Sequence, residues 1–97
     1  MQFLVLAKPR SDLFAKGAPA DFQQLLQQEQ ARSRSAYAEG WLRQIWLRQT
    51  GNGAVAIVEA ASLEEAEALL KDFPMYRAGY LETEIVPLAP YSGFAGM

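Results

Sequence analysis

The sequence contains no cysteine and no histidine. Without thiols there is no disulfide framework, no thiol nucleophile and no thiolate metal site, and without imidazole the commonest proton shuttle and metal ligand is missing. Seven glycines and five prolines in 97 residues are too few for a collagen-like or low-complexity chain, and 51% hydrophobic against 21% charged residues is an ordinary globular composition. Nine Lys and Arg against eleven Asp and Glu leave a net charge of -2 without a long like-charge block, so no extended nucleic-acid footprint is expected. No apolar stretch approaches the roughly 18 residues of a membrane span. The opening MQFLVLAKPR has neither a basic lead nor a small-residue cleavage pattern. The expectation is one cytoplasmic domain over residues 1–97, engaging neither nucleic acid nor membrane.

What is present orders itself by hydrophobic period. Residues 2–7 (QFLVLA) read as a strand ended by Lys8, Pro9 and Arg10. From Pro19 the spacing turns helical, with Phe22, Leu25, Leu26, Ala36 and Tyr37 on one stripe and Gly40 as the stop, predicting a helix of about five turns. Residues 41–48 and 54–59 read as two antiparallel strands joined through Gln49, Thr50, Gly51, Asn52 and Gly53. Ser62 to Glu65 forms a capping box, and Leu63, Ala66, Leu70 and Phe73 predict a second helix stopping before Pro74. Residues 80–86 (YLETEIV) supply the last strand. The order β-α-β-β-α-β is the α+β, ferredoxin-like split unit: a four-stranded antiparallel sheet with two helices on one face.

Such a sheet has one face to water, which calls for alternating strands. Instead Phe3, Leu4, Val5 and Leu6 are apolar on both parities, as are Val55, Ala56, Ile57 and Val58. An exposed apolar face of that extent marks an interface, so a sheet-to-sheet dimer is expected as the minimum assembly.

Counting from Phe22 at about 100° per residue, Glu29 and Ser33 fall close to the centre of the buried stripe of the first helix. A buried carboxylate without a partner has its pKa pushed upward, which makes Glu29 the candidate general base, with Ser33 and Tyr37 continuing a polar strip into an apolar pocket. The same position suits a structural pair with an arginine from the second strand. Arg43 and Arg48 stand among tryptophans and point to opposite faces unless a bulge intervenes. Trp41, Trp46, Tyr37, Tyr76 and Tyr80 suit a pocket for a flat ligand, or equally a core or dimer contact. Lys8, Arg10 and Lys16 bracket a loop that lacks the glycine pattern of a phosphate cradle, and the serines have no histidine to activate them.

The stretch Glu39-Gly40-Trp41-Leu42-Arg43-Gln44-Ile45-Trp46-Leu47-Arg48, the hairpin glycines, the capped helix and Phe73-Pro74-Met75-Tyr76 together resemble muconolactone delta-isomerases over about residues 22–90. The resemblance implies a ferredoxin-like domain that assembles through its sheets as a homodimer or higher homo-oligomer. It further implies a proton shift within a small, anionic unsaturated lactone or ring acid, without metal or cofactor. By the resemblance Glu29 matches a helix glutamate, and Arg43 and Trp46 match strand residues. Where the family carries histidine this chain has Gln44, and the hairpin has none. Proton transfer then rests on Glu29, with Arg43 or a tyrosine stabilising an enolate-like oxygen and Ser33, Tyr37, Trp46 and Tyr76 contacting substrate. The alternative is a non-catalytic module of the same fold that holds a small ligand or only assembles.

Overall fold

Branched and aromatic residues favour extended backbone, and the first such run becomes strand β1, Gln2–Pro9, in the computed structural model, which describes residues 1–50 and 53–96. Strand β1 lies inside the sheet, antiparallel to β3 (Ala54–Glu59) on one side and β4 (Leu81–Pro87) on the other, with β2 (Leu42–Leu47) beyond β3. The order β2-β3-β1-β4 is that of the ferredoxin-like fold. The expected hairpin tip at Gly51 and Asn52 lies outside the described residues. Its base is closed by a hydrogen bond from the Arg48 N–H to the Gly53 carbonyl (3.0 Å). Gly53 has φ of +119° and a Cβ there would stand 2.1 Å from the Ala7 carbonyl oxygen, so only glycine lets β3 begin this close to β1.

Two longer helices cover one face: α2 (Phe22–Glu39) and α3 (Leu63–Leu70). Helix α2 starts three residues later than Pro19, because Asp21 takes the N-cap position; its carboxylate accepts the Tyr80 hydroxyl instead of capping the helix. Gly40 ends it in the left-handed conformation, its N–H donating to Ala36 and Tyr37 carbonyls. The capping box of α3 forms with one change of partner. Ser62 Oγ accepts the Glu65 N–H (3.1 Å), but the Glu65 carboxylate reaches Ala61 rather than the N-cap residue (3.2 Å). Two short turns of helix add to the expected order: α1 (Ser11–Phe14), and α4 (Pro74–Arg77), where Pro74 opens a new turn after closing the old one.

Cross-strand register sorts the side chains. Phe3, Val5 and Ala7 share the helix face with Leu42, Ile45, Ala54, Ala56, Val58, Leu81, Thr83 and Ile85. Phe3, Val5, Leu42, Ala56 and Val58 are buried there against Ala36, Ala66, Leu70 and Phe73. The outward face carries Leu4, Leu6, Trp46, Val55, Ile57 and Val86 at its centre, with Lys8, Glu82 and Glu84 at one end. No helix among the described residues is long and apolar enough to cross a membrane.

Candidate active site

Small side chains on the sheet leave room under α2. Ala7, Ala54 and Ala56 sit side by side on neighbouring strands where Phe3 and Val58 fill the same layer further along, so the sheet side of the layer is shallow there. The result is a half-open apolar pocket with an interior volume of about 70 Å³. Its walls are aliphatic and aromatic, with Leu70 and Phe73 from the α3 side and Ile45 at β2. Three of its residues bring polar side chains: Glu29 from α2, Tyr76 from α4 and Thr83 from β4.

Glu29 is held by the main chain. Its Oε1 accepts the N–H of Met75 at 3.0 Å, a donor left free in the first turn of α4. Burial raises the carboxyl above its ordinary value, and the Met75 hydrogen bond pulls it back only in part. None of the ion pairs among the described residues involves Glu29. The structural pair with a strand arginine, one of the two sequence readings, does not form. What remains is a carboxyl with a raised pKa that faces an apolar cavity, the environment in which a side chain can serve as a proton-transfer group.

Of the residues grouped with Glu29 in sequence, Tyr76 shares the cavity and the other four do not. Ser33 is half-buried and gives its hydroxyl back to the Glu29 carbonyl (2.9 Å). Tyr37 is 62% exposed. Each four-residue step advances about 40° round a helix of 3.6 residues per turn, so the strip Glu29, Ser33, Tyr37 winds off the buried face. Arg43 is the extra residue of a bulge: Leu42 stands opposite Val58 but Gln44 opposite Ile57, and Arg43 is left exposed between them. The bulge also fixes Trp46 opposite Val55 on the outward face, 51% exposed. Gln44, on that same face, turns its side-chain oxygen to the Ile45 N–H (3.1 Å).

Three features were not singled out from the sequence. Thr83 Oγ1 is buried without a hydrogen-bond partner, and the signal for it was a polar residue sharing parity with Leu81 and Ile85. Arg32 gathers Glu39 (3.2 Å), Asp72 (3.6 Å) and the face of Trp41 (5.6 Å to the ring centroid); its spacing of seven from Glu39, two helical turns, was the signal there. Trp41 in turn donates its indole N–H to Glu39 (2.9 Å) and packs edge-on to Phe73, a cavity wall. At the other end of α2, Phe14, Phe22 and Tyr80 stack edge to face beside the Asp21–Tyr80 hydrogen bond, which raises the tyrosine's pKa above its ordinary value. The basic loop resolves into ordinary pairs, Lys8 with Glu82 (3.4 Å) and Arg10 with Asp12 (3.1 Å).

A sequence profile described as muconolactone delta-isomerase matches residues 1–93. Among solved structures, a muconolactone isomerase superposes with a TM-score of 0.79 at 21% identity, over 100% of this chain and 97% of that one. A 5-chloro-2-hydroxyhydroquinone dehydrochlorinase from Burkholderia phenoliruptrix, in complex with 2,5-dihydroxybenzoquinone, superposes with a TM-score of 0.65 at 20% identity, over 96% and 98% of the two chains. No curated protein matches the sequence. At these identities the structural likeness establishes the fold.

Proposed function

The chain belongs to the muconolactone delta-isomerase family, and from that premise we propose that it is a cofactor-independent isomerase moving a proton within a small unsaturated lactone or related ring. The observation that carries this reading is the Glu29 carboxyl, its pKa raised by burial, facing an apolar cavity with a main-chain N–H on one oxygen. Glu29 removes a proton from the carbon next to the ring carbonyl, and the electron pair moves onto oxygen as an enolate. The same carboxyl then returns that proton to the far carbon of the new double-bond system. One proton leaves and one arrives, so no oxidant, reductant or second substrate is needed. The Tyr76 phenol, in the same cavity, is the group offered to the enolate oxygen.

The experiment is turnover of α-angelica lactone, an unsaturated five-membered lactone, followed by ultraviolet absorbance in the parent and in Glu29→Gln. Glutamine keeps the shape and the acceptor for the Met75 N–H but cannot hold the proton. Turnover should fall by roughly 100-fold or more with the melting temperature maintained. Undiminished turnover in the variant overturns the assignment of the base. Ligand binding by the parent without any turnover favours the non-catalytic reading.

The assembly we propose is a sheet-to-sheet homodimer, supported by the apolar outward face of Leu4, Ile57 and Trp46, the last of which is 51% exposed. Light scattering at micromolar concentration should give twice the monomer mass or a multiple of it, and a monomer alone overturns this assembly.

A further inference from the structure

Helix α4 has no cap of its own. Its N-cap residue is Phe73, whose side chain offers no acceptor, and its first helical residue is Pro74, which has no N–H to give. The Phe73 N–H is already spent on the Leu70 carbonyl (3.0 Å). The next donor along the chain is that of Met75, and the group that takes it is Glu29, 46 residues earlier and on another helix. The donor is also fixed in place. A residue before proline is driven out of helical backbone, and Phe73 is extended (φ -78°, ψ 128°), which separates α4 from α3 and starts a new turn. The Arg77 and Ala78 N–H groups close that turn on the Phe73 and Pro74 carbonyls (2.9 Å each), the Met75 carbonyl accepts the Tyr80 N–H (3.1 Å), and the Met75 side chain is buried.

The two oxygens of Glu29 are thereby made unequal. Oε1 is engaged. Among the described residues Oε2 accepts no hydrogen bond and enters no ion pair, yet it is not sealed in; the side-chain atoms buried there without a partner are Glu59 Oε2 and Thr83 Oγ1. Of the other elements lining the cavity, α4 brings one titratable group, Tyr76, and the wall residues from the four strands and from the α3 side bring none. We propose that Pro74 is a positioning residue for the reaction: the turn it opens holds Oε1 through the Met75 N–H and leaves Oε2 as the oxygen that takes and returns the ring's proton. The role rests on the isomerase reading for its reaction, whereas the grip on Oε1 does not. Without that grip the carboxyl rotates among orientations of which few face the ring, so the loss falls on kcat rather than on KM.

Two changes test this in the full chain. Replacing Met75 by its α-hydroxy analogue turns one amide into an ester, which deletes the N–H and keeps the side chain. The Glu29 carboxyl, followed by carbon-13 NMR, should then titrate about one pH unit higher, because the hydrogen bond favoured its charged form. The acid limb of α-angelica lactone turnover should move by the same amount, and kcat above it should fall about tenfold with KM held. The same exchange at Leu88, whose N–H donates to the Gln2 carbonyl (2.9 Å), removes a comparable hydrogen bond elsewhere and should leave the Glu29 titration where it stands. Pro74→Ala frees the backbone and restores a second donor at the head of the turn; kcat should fall about threefold, again with KM held. An unmoved Glu29 titration in the Met75 ester overturns the grip, and a moved titration with kcat intact above the limb overturns the assignment of Oε2. Undiminished kcat in Pro74→Ala removes Pro74 from the role. A titration that moves in a protein whose parent turns over no lactone removes the isomerase reading and leaves the grip standing.

Discussion

Helix α2 carries two glutamates ten residues apart that are treated in opposite ways. Glu39 at the C-terminal end is fully exposed, and the Trp41 indole together with the Arg32 guanidinium lower its pKa. Glu29 in the middle is desolvated, has one main-chain donor and has its pKa raised. The same residue type on the same helix is thus a closed structural group at one place and an open one at the other. The difference has two causes: burial desolvates Glu29 by more than its one main-chain donor offsets, whereas Glu39 stays in water and receives side-chain donors from Trp41 and Arg32. At the Glu39 end Arg32, Glu39, Asp72 and Trp41 are paired with one another, whereas beside Glu29 the Thr83 hydroxyl has no partner within the chain among the described residues. A protein stabilises itself with the first kind of arrangement and binds with the second.

The contrast is most strongly broken at the closed end. Arg32→Ala removes the guanidinium from Glu39, Asp72 and the Trp41 face together, and since these contacts are largely at the surface the expected cost is about 1 kcal/mol. In a domain of this size that lowers the melting temperature by roughly 4–8 °C, readable by circular dichroism, whereas Glu29→Gln should not lower it. An unchanged melting temperature in Arg32→Ala would remove the structural role given to this cluster.

The dependence on pH is smaller and sharpens the comparison. Glu29 has a raised folded-state pKa, so its favourable contribution is complete below its ordinary value of 4.5 and is lost as pH rises through the raised value. Glu39 has a lowered folded-state pKa, so its contribution is present above 4.5 and is lost as pH falls through the lowered value. Melting curves across this range should show Glu29→Gln gaining on the parent as pH rises, and Glu39→Gln trailing the parent at neutral pH but converging with it in acid. Parallel curves for the two variants would erase the distinction. The smallest effect is expected from Arg43→Ala. The side chain lies outside both arrangements, so stability should stay within about 0.5 kcal/mol and turnover within about twofold. A large loss of turnover would return Arg43 to the site.

The fold was legible because each element carried its own local signal: a short apolar run bounded by turn residues in β3, helical spacing in α2, Gly40 as a stop and Ser62 with Glu65 as a cap. Glu29 was legible for the same reason, as a charge on a buried stripe. The rest of the site was not, because it depends on events that leave no periodic mark. One inserted residue at Arg43 decides which face Trp46 occupies. The drift of a real helix over two turns carries Tyr37 into solvent. Thr83 becomes conspicuous only when register places it between Leu81 and Ile85 on the cavity side. Lateral pairing between strands far apart in sequence made those assignments, and such pairing is the information a single sequence holds most weakly.

The donor that grips Glu29 belongs to the backbone at Met75, not to a side chain. Every amino acid except proline brings that same N–H, so the buried Met75 side chain answers only to packing, and exchange for another apolar residue leaves the grip in place. Heritable variation has almost no purchase on it. Relatives compared at this position would then show exchange among apolar residues, and a reader looking for an invariant polar partner would pass over one half of the contact that holds Glu29 in the cavity.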